Sequence, residues 1–252
     1  MCNELMNYRY QVESESATSE TTNEKINGWI TNYPKFLDAL FEVSYFTGKA
    51  KELESPEGYF YAFGHHILLR FPYTIRATCI LIERGFYFEA ISLVRNLYES
   101  FFQLRYFHKH QDIIETHITL RRVKFKKMFE EIAPGFYREI YGKQLSEFAH
   151  SGFSSLIFRV KYISAEVGET TMGSKFDEMG CTYSLKQIVP ILFGILNYIP
   201  IWFPQYSTLV SKLTETKRIE SMTWLEKAMK DHMAGKPESK RFYDLVKPLI
   251  RC

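Results

Sequence analysis

The chain is poor in the features that usually announce a chemistry. Its 252 residues hold four cysteines, Cys2, Cys79, Cys181 and Cys252. No two have metal-ligand spacing, which argues against a disulfide scaffold or a cysteine-built zinc site and fits reduced thiols in a cytoplasm. Excess charge of one sign is also missing. The net charge is +3, far from the field that dominates nucleic-acid binding, although local patches remain open. No apolar run reaches the roughly 20 residues of a bilayer span. The longest, Ile188 to Phe203, is interrupted by Pro190, Asn197 and Pro200 and reads as a buried core helix, so no membrane span is expected. The N-terminus, Met-Cys-Asn-Glu, lacks a basic region followed by an apolar stretch, so no signal peptide is expected.

Catalytic signatures are sparse too. There is no His-Glu-x-x-His, Gly-x-Ser-x-Gly or Cys-x-x-Cys. Gly168-(x)4-Gly173-Ser174-Lys175 has its Ser and Lys in the reverse of the order a phosphate loop needs. Glu147-x-x-His150 has no second copy of the kind a di-iron bundle requires, and neither a metal nor a cofactor is expected. No internal repeat is visible.

What is present is aromatic and helical. Phe and Tyr number 21 and 17, which suggests a core or grooves built from rings. Residues 11–24 are polar and low in complexity, so residues 1–24 are expected to form a disordered tail before one helical domain over 25–252. Helical spacing covers about 35–53, 57–70, a third helix starting at Pro72 and stopping at Gly85, then 86–108, 111–132 and 136–149. It resumes over about 183–203, 205–217, 219–233 and 238–250. Between them, Phe158, Val160 and Tyr162 alternate with Arg159 and Lys161, the period of a strand. The expectation is an all-α multi-helix bundle with a small irregular or β insertion near 156–180.

The helix over 86–108 separates into two faces when wound at about 100° per residue. Glu89, Ser92, Asn96, Glu99, Ser100 and Gln103 share one arc; Ala90, Val94, Leu97, Tyr98, Phe101 and Leu104 share the other. Arg105 and His108 then fall on the apolar arc, where a charge is costly unless paired. Arg105, four residues and His110 resemble the Arg-x4–6-His motif of the HEPN superfamily, all-helical domains that include many RNases. The resemblance implies RNA as partner and a homo-oligomer, because the Arg and His of that family face an RNA phosphate across a dimer. It makes Arg105, His108 and His110 the candidate catalytic residues: His can move the 2′-hydroxyl proton and Arg can stabilise the charged phosphorane. The chain departs from the motif at Tyr106, where the family has a small polar residue. Alternatively, Arg105 caps the C-terminus of its helix.

A second resemblance spans roughly residues 40–205. Ala90-Ile91-Ser92-Leu93-Val94-Arg95-Asn96-Leu97-Tyr98-Glu99 is similar to the Leu-x-Arg-x-x-x-Glu helix of an uncharacterised family of bacterial helical domains. Leu145-Ser146-Glu147-Phe148-Ala149-His150-Ser151 is similar to the Leu-Ser-x-x-x-His turn of the same proteins. Arg95, Glu99 and His150 are the matching positions and are expected to lie together. Arg95 and Glu99, spaced i,i+4, can pair on one face.

The stretch 105–127 is locally basic. Arg121, Arg122, Lys124, Lys126 and Lys127 cluster there, and the interleaved Phe125 and Phe129 could stack on bases. Alternatively, because Arg121 to Lys127 wrap round the helix rather than forming a stripe, the run is a solvated surface. Arg121, Arg122 and Lys124 join Arg95, Glu99 and His150 as candidate binding residues. Two functional readings stand: a cytoplasmic HEPN-like protein that binds or cleaves RNA, or a non-catalytic interaction or small-ligand module. They differ in whether the Arg and His residues converge.

Overall fold

The computed structural model describes residues 8–47, 56–120, 123–149, 160–162, 168–170, 174–204, 210–233 and 237–250. The fold is all-α, as the spacing implies. In chain order the main helices are α1 (Tyr8–Lys25), α2 (Asn27–Thr47), α3 (Pro56–Glu83) and α4 (Tyr87–Lys109). A 3-10 turn (Gln111–Ile113) leads into α5 (Ile114–Leu120) and α6 (Phe125–Ile132). The single turn α7 (Pro134–Phe136) runs into a π-helix (Tyr137–Leu145) and then α8 (Ser146–Ala149). After the insertion come α9 (Glu178–Trp202), α10 (Lys212–Met233) and α11 (Pro237–Ile250). The insertion holds a two-stranded antiparallel pair, β1 (Val160–Tyr162) and β2 (Gly168–Thr170), with Lys161 opposite Glu169.

Helix α4 lies at the centre. It packs against α3, α9, α6, α8 and the π-helix. Ala90, Val94, Leu97, Tyr98, Phe101 and Leu104 are all buried, and Phe102, Tyr106 and Phe107 widen the buried arc. The rings expected of this composition fill that core. Phe102 stacks on Phe129 with centroids 3.8 Å apart, and Phe101 meets Tyr198 and Trp202 edge-on at 5.8 and 5.6 Å. Helix α9 is long and apolar enough by composition to cross a membrane, and 72% of its most apolar window is buried inside the bundle. Its start is fixed by Asp177, whose side chain accepts from the Gly180 amide as an N-cap.

Several boundaries differ from the expectation. Residues 8–25, expected to be a loose tail, form α1. Its composition is polar, but Thr18 and Thr22 are buried, and Arg84 pairs with Glu15 at 3.1 Å. Tertiary contacts hold this helix where its own apolar content cannot. Pro72 sits inside α3 rather than starting a new helix. Gly85 ends α3 with φ +78, and the Gly85 and Phe86 amides return to the carbonyls of Ile82 and Leu81, a Schellman closure. The expected helix 111–132 is two helices, because Val123 and Lys124 leave helical geometry before α6. Residues 212–233 form one helix instead of two.

Candidate functional site

The π-helix is the least ordinary local structure among the described residues. Such turns are rare and favour functional sites. Gly142 permits this one: a Cβ there would lie 3.0 Å from the Tyr137 carbonyl oxygen, the group five residues back that a π turn brings close. The wider turn places Tyr141 against α4. The Tyr141 hydroxyl donates to Glu99 Oε1 at 2.5 Å and accepts from Arg95 Nε and Nη2 at 3.3 and 3.2 Å. Arg95 Nε also donates to Glu99 Oε1 at 3.0 Å, and its guanidinium carbon sits 5.1 Å from the centre of the Tyr141 ring.

The expected Arg95–Glu99 pair therefore forms, and Tyr141, which sequence reasoning missed, completes it. Burial and the Glu99 carboxylate both push the Tyr141 hydroxyl well above its ordinary pKa, so it stays a donor. Burial works against the charge of Arg95, but the hydrogen bonds and charges of Tyr141 and Glu99 outweigh it and raise the guanidinium pKa. The three groups form a mutually bonded network. It clamps the π-helix to α4 and holds its charges where they answer one another. His150 lies outside the described residues.

A polar seam continues from this clamp toward α9. Gln144, also on the π-helix, accepts from Tyr183 Oη at 2.8 Å and from Gln187 Nε2 at 3.4 Å. The fully buried Tyr98 donates to the Gln187 carbonyl at 2.8 Å.

The three candidate catalytic residues are held by different neighbours. Arg105 donates to the carbonyl oxygens of Pro248 and Leu249 at 2.8 and 3.5 Å, and its guanidinium carbon lies 4.5 Å from the centre of the Tyr198 ring. It does cap a helix C-terminus, but that of α11 rather than of its own helix. His108 meets Phe60 edge-on at 5.4 Å and hydrogen-bonds the backbone of Ile201; burial lowers its pKa. His110 lies on Tyr106 and places Nε2 2.8 Å from Glu131 Oε1 on α6. Arg105 thus serves the α9 and α11 side, and His110 serves the α6 side. Both lie further along the chain than the α4 members of the Arg95–Glu99–Tyr141 cluster, Arg105 six residues past Glu99 and His110 eleven.

The basic stretch has a different outcome. Arg121 and Arg122 lie outside the described residues. Lys124 occupies the N-cap of α6 in an extended conformation, with no side-chain cap. Lys126 and Lys127 follow on the first turn, and all three are exposed. Lys126 approaches Glu130 at 3.8 Å; Lys124 and Lys127 have no carboxylate partner among the described residues. Phe129, one of the two rings considered for base stacking, is fully buried between Phe102 and Tyr141 and serves the core instead. Phe125 is half-buried and lines an open cleft of about 650 Å³ with Ala62, Phe63, His66, Gln103, His117 and Val123. No sequence pattern marks this cleft, since its lining comes from four separate segments.

Residues 61–119 match the Family of unknown function (DUF5677). The segment carrying Arg95 and Glu99 is therefore similar to an uncharacterised family, as the sequence of α4 suggests. The match takes in most of α3 and all of α4, and with them most of the cleft lining. No significant match was found among curated proteins or among solved structures.

Proposed function

We propose that this uncharacterised helical protein is an RNA-binding module of HEPN-like kind, and that it holds single-stranded RNA on the first turn of α6. The observation that carries the reading is the charge order of that helix. Its N-terminal turn bears Lys124, Lys126 and Lys127, and its last turn bears Glu130 and Glu131. The helix dipole favours the opposite order, by about 0.3–1 kcal/mol per charge. Lys126 recovers part of that cost through Glu130, and Glu131 meets His110, but Lys124 and Lys127 have no carboxylate partner among the described residues; lysines left against the dipole suit an anionic ligand. A phosphate seated there would meet the free amides of a helix start, with exposed lysine side chains on that turn to neutralise it.

The reading is one of binding. Cleavage through Arg105 and His110 would need them to face one phosphate, and within the chain each is engaged elsewhere. The test is fluorescence anisotropy with labelled single-stranded RNA at low salt, with the same samples run on a denaturing gel. Binding with intact RNA supports the proposal. Cut RNA, with the cutting lost in R105A or H110A, would replace it with the catalytic reading. If the protein neither binds nor cuts, the RNA reading is wrong.

A further inference from the structure

The cleft beside the lysine turn is a site that the proposed RNA binding does not by itself require. It is roomy: about 650 Å³, within the usual range of ligand pockets, where a nucleotide fits and a single ion would be lost. Its lining combines two phenyl rings, Phe63 and Phe125, with three polar heads, His66, Gln103 and His117. None of its described lining residues is acidic. Part of the wall is pre-set by buried Phe107. Phe63 stands edge-on to that ring at 5.3 Å, and His117 lies against it at 4.6 Å. Gln103 comes from the polar arc of α4. It has no hydrogen-bond partner among the described residues and is half-exposed, so its amide is available to a ligand.

Val123 and Phe125 both line the cleft, and Lys124 lies between them at the exposed start of α6, so the cleft adjoins the lysine turn. Its rings and its amide suit a flat, hydrogen-bonding ring. We propose that the cleft takes one unpaired nucleobase, stacked against Phe63 or Phe125, with Gln103 reading its edge and the adjoining phosphate running toward the lysine turn. An amide side chain can present a donor and an acceptor together, the pattern that an adenine edge answers. Each stacked base contributes a factor of about five or more in affinity.

This inference rests on the RNA reading for its occupant, and the test separates the two. Anisotropy is measured with an oligoadenylate, with an abasic ribose-phosphate oligomer of equal length, and in competition with adenosine monophosphate or ribose 5-phosphate. The expected result is tighter binding of the oligoadenylate than the abasic oligomer by about fivefold or more. Adenosine monophosphate should outcompete ribose 5-phosphate by a similar factor. Phe125→Leu, which keeps an apolar side chain, should shrink both ratios. Gln103→Leu should leave abasic binding unchanged while reducing the preference for adenine over uracil. Equal affinity for base-bearing and abasic oligomers would overturn the base pocket while leaving RNA binding intact. Binding of adenosine monophosphate with no binding of any oligomer would do the reverse: the pocket would stand and the RNA reading would fall. If neither the nucleotide nor the oligomers bind, both fail.

Discussion

The Tyr141 hydroxyl donates to the Glu99 carboxylate at 2.5 Å, across 42 positions of chain and between a π-helix and the central α-helix. Arg95 bonds both partners. The three groups form a unit, so the loss of any one removes a partner from each of the others. Tyr141→Phe removes the hydroxyl and keeps the ring against Phe129 and Arg95. It should cost about 1–3 kcal/mol, since the half-buried Glu99 Oε1 loses one of its two donors, in a bond to a charged group. Glu99→Ala should cost a similar amount, and the double variant less than the sum. Urea denaturation of the four proteins measures this. Additive losses would mean that the bond carries no coupling.

Arg105 is expected to act on stability. Arg105→Gln removes the cation from the C-terminal carbonyls of α11 and from the Tyr198 face. The combined loss should be about 1–2 kcal/mol. Local hydrogen exchange should rise in residues 245–250 before it rises in α4. An unchanged midpoint in denaturant would contradict the capping role.

How much of this could be read from the sequence differs from residue to residue. The buried arc of α4 was legible from Ala90 to Leu104, because helical spacing alone sets which side chains share a face. The cost of Arg105 on that arc was legible too. Its partners were not, since Pro248 and Leu249 lie more than 140 positions away. The Arg95–Glu99 pair is a local i,i+4 event and was visible. Tyr141 was hidden because a π turn shifts the register that α-helical spacing assumes; the only hint was Gly142 inside an otherwise helical run. The order of residues 8–25 is not legible, because it comes from contacts of Thr18, Thr22 and Glu15 with other helices, which composition does not record.

His108 should make the protein sensitive to mild acid. Burial lowers its pKa in the folded state from an ordinary 6.5. Below that value the unfolded chain binds a proton that the folded chain resists, so stability is full above about pH 6.5 and falls as pH drops. Glu83 runs the other way: burial raises its pKa from 4.5, so its contribution is lost as pH rises through the folded value. Comparing variants isolates His108. The fall in Tm between pH 7.5 and 5.5 should be smaller in His108→Gln than in the wild type. An equal fall in both would assign the effect elsewhere.

Gly85 should tolerate no side chain. Its φ of +78 is left-handed, which costs a non-glycine residue about 1–2 kcal/mol. An added Cβ would also lie 2.8 Å from the Lys175 backbone oxygen. Gly85→Ala is therefore expected to lower Tm clearly, and by more than Gly28→Ala, where nothing lies within 4 Å. Equal effects at the two positions would show that the turn between α3 and α4 adapts.

The central claim is that the lysine turn of α6 binds RNA phosphates. It is tested most directly by the salt dependence of affinity for single-stranded RNA in the wild type and in Lys124→Ala/Lys126→Ala/Lys127→Ala. Each phosphate contact on a single strand contributes about 0.7 to the slope of log affinity against log salt. Removing three lysines should weaken binding at low salt and make the slope shallower by about 2. An unchanged slope with unchanged affinity would place the RNA elsewhere or nowhere on this protein.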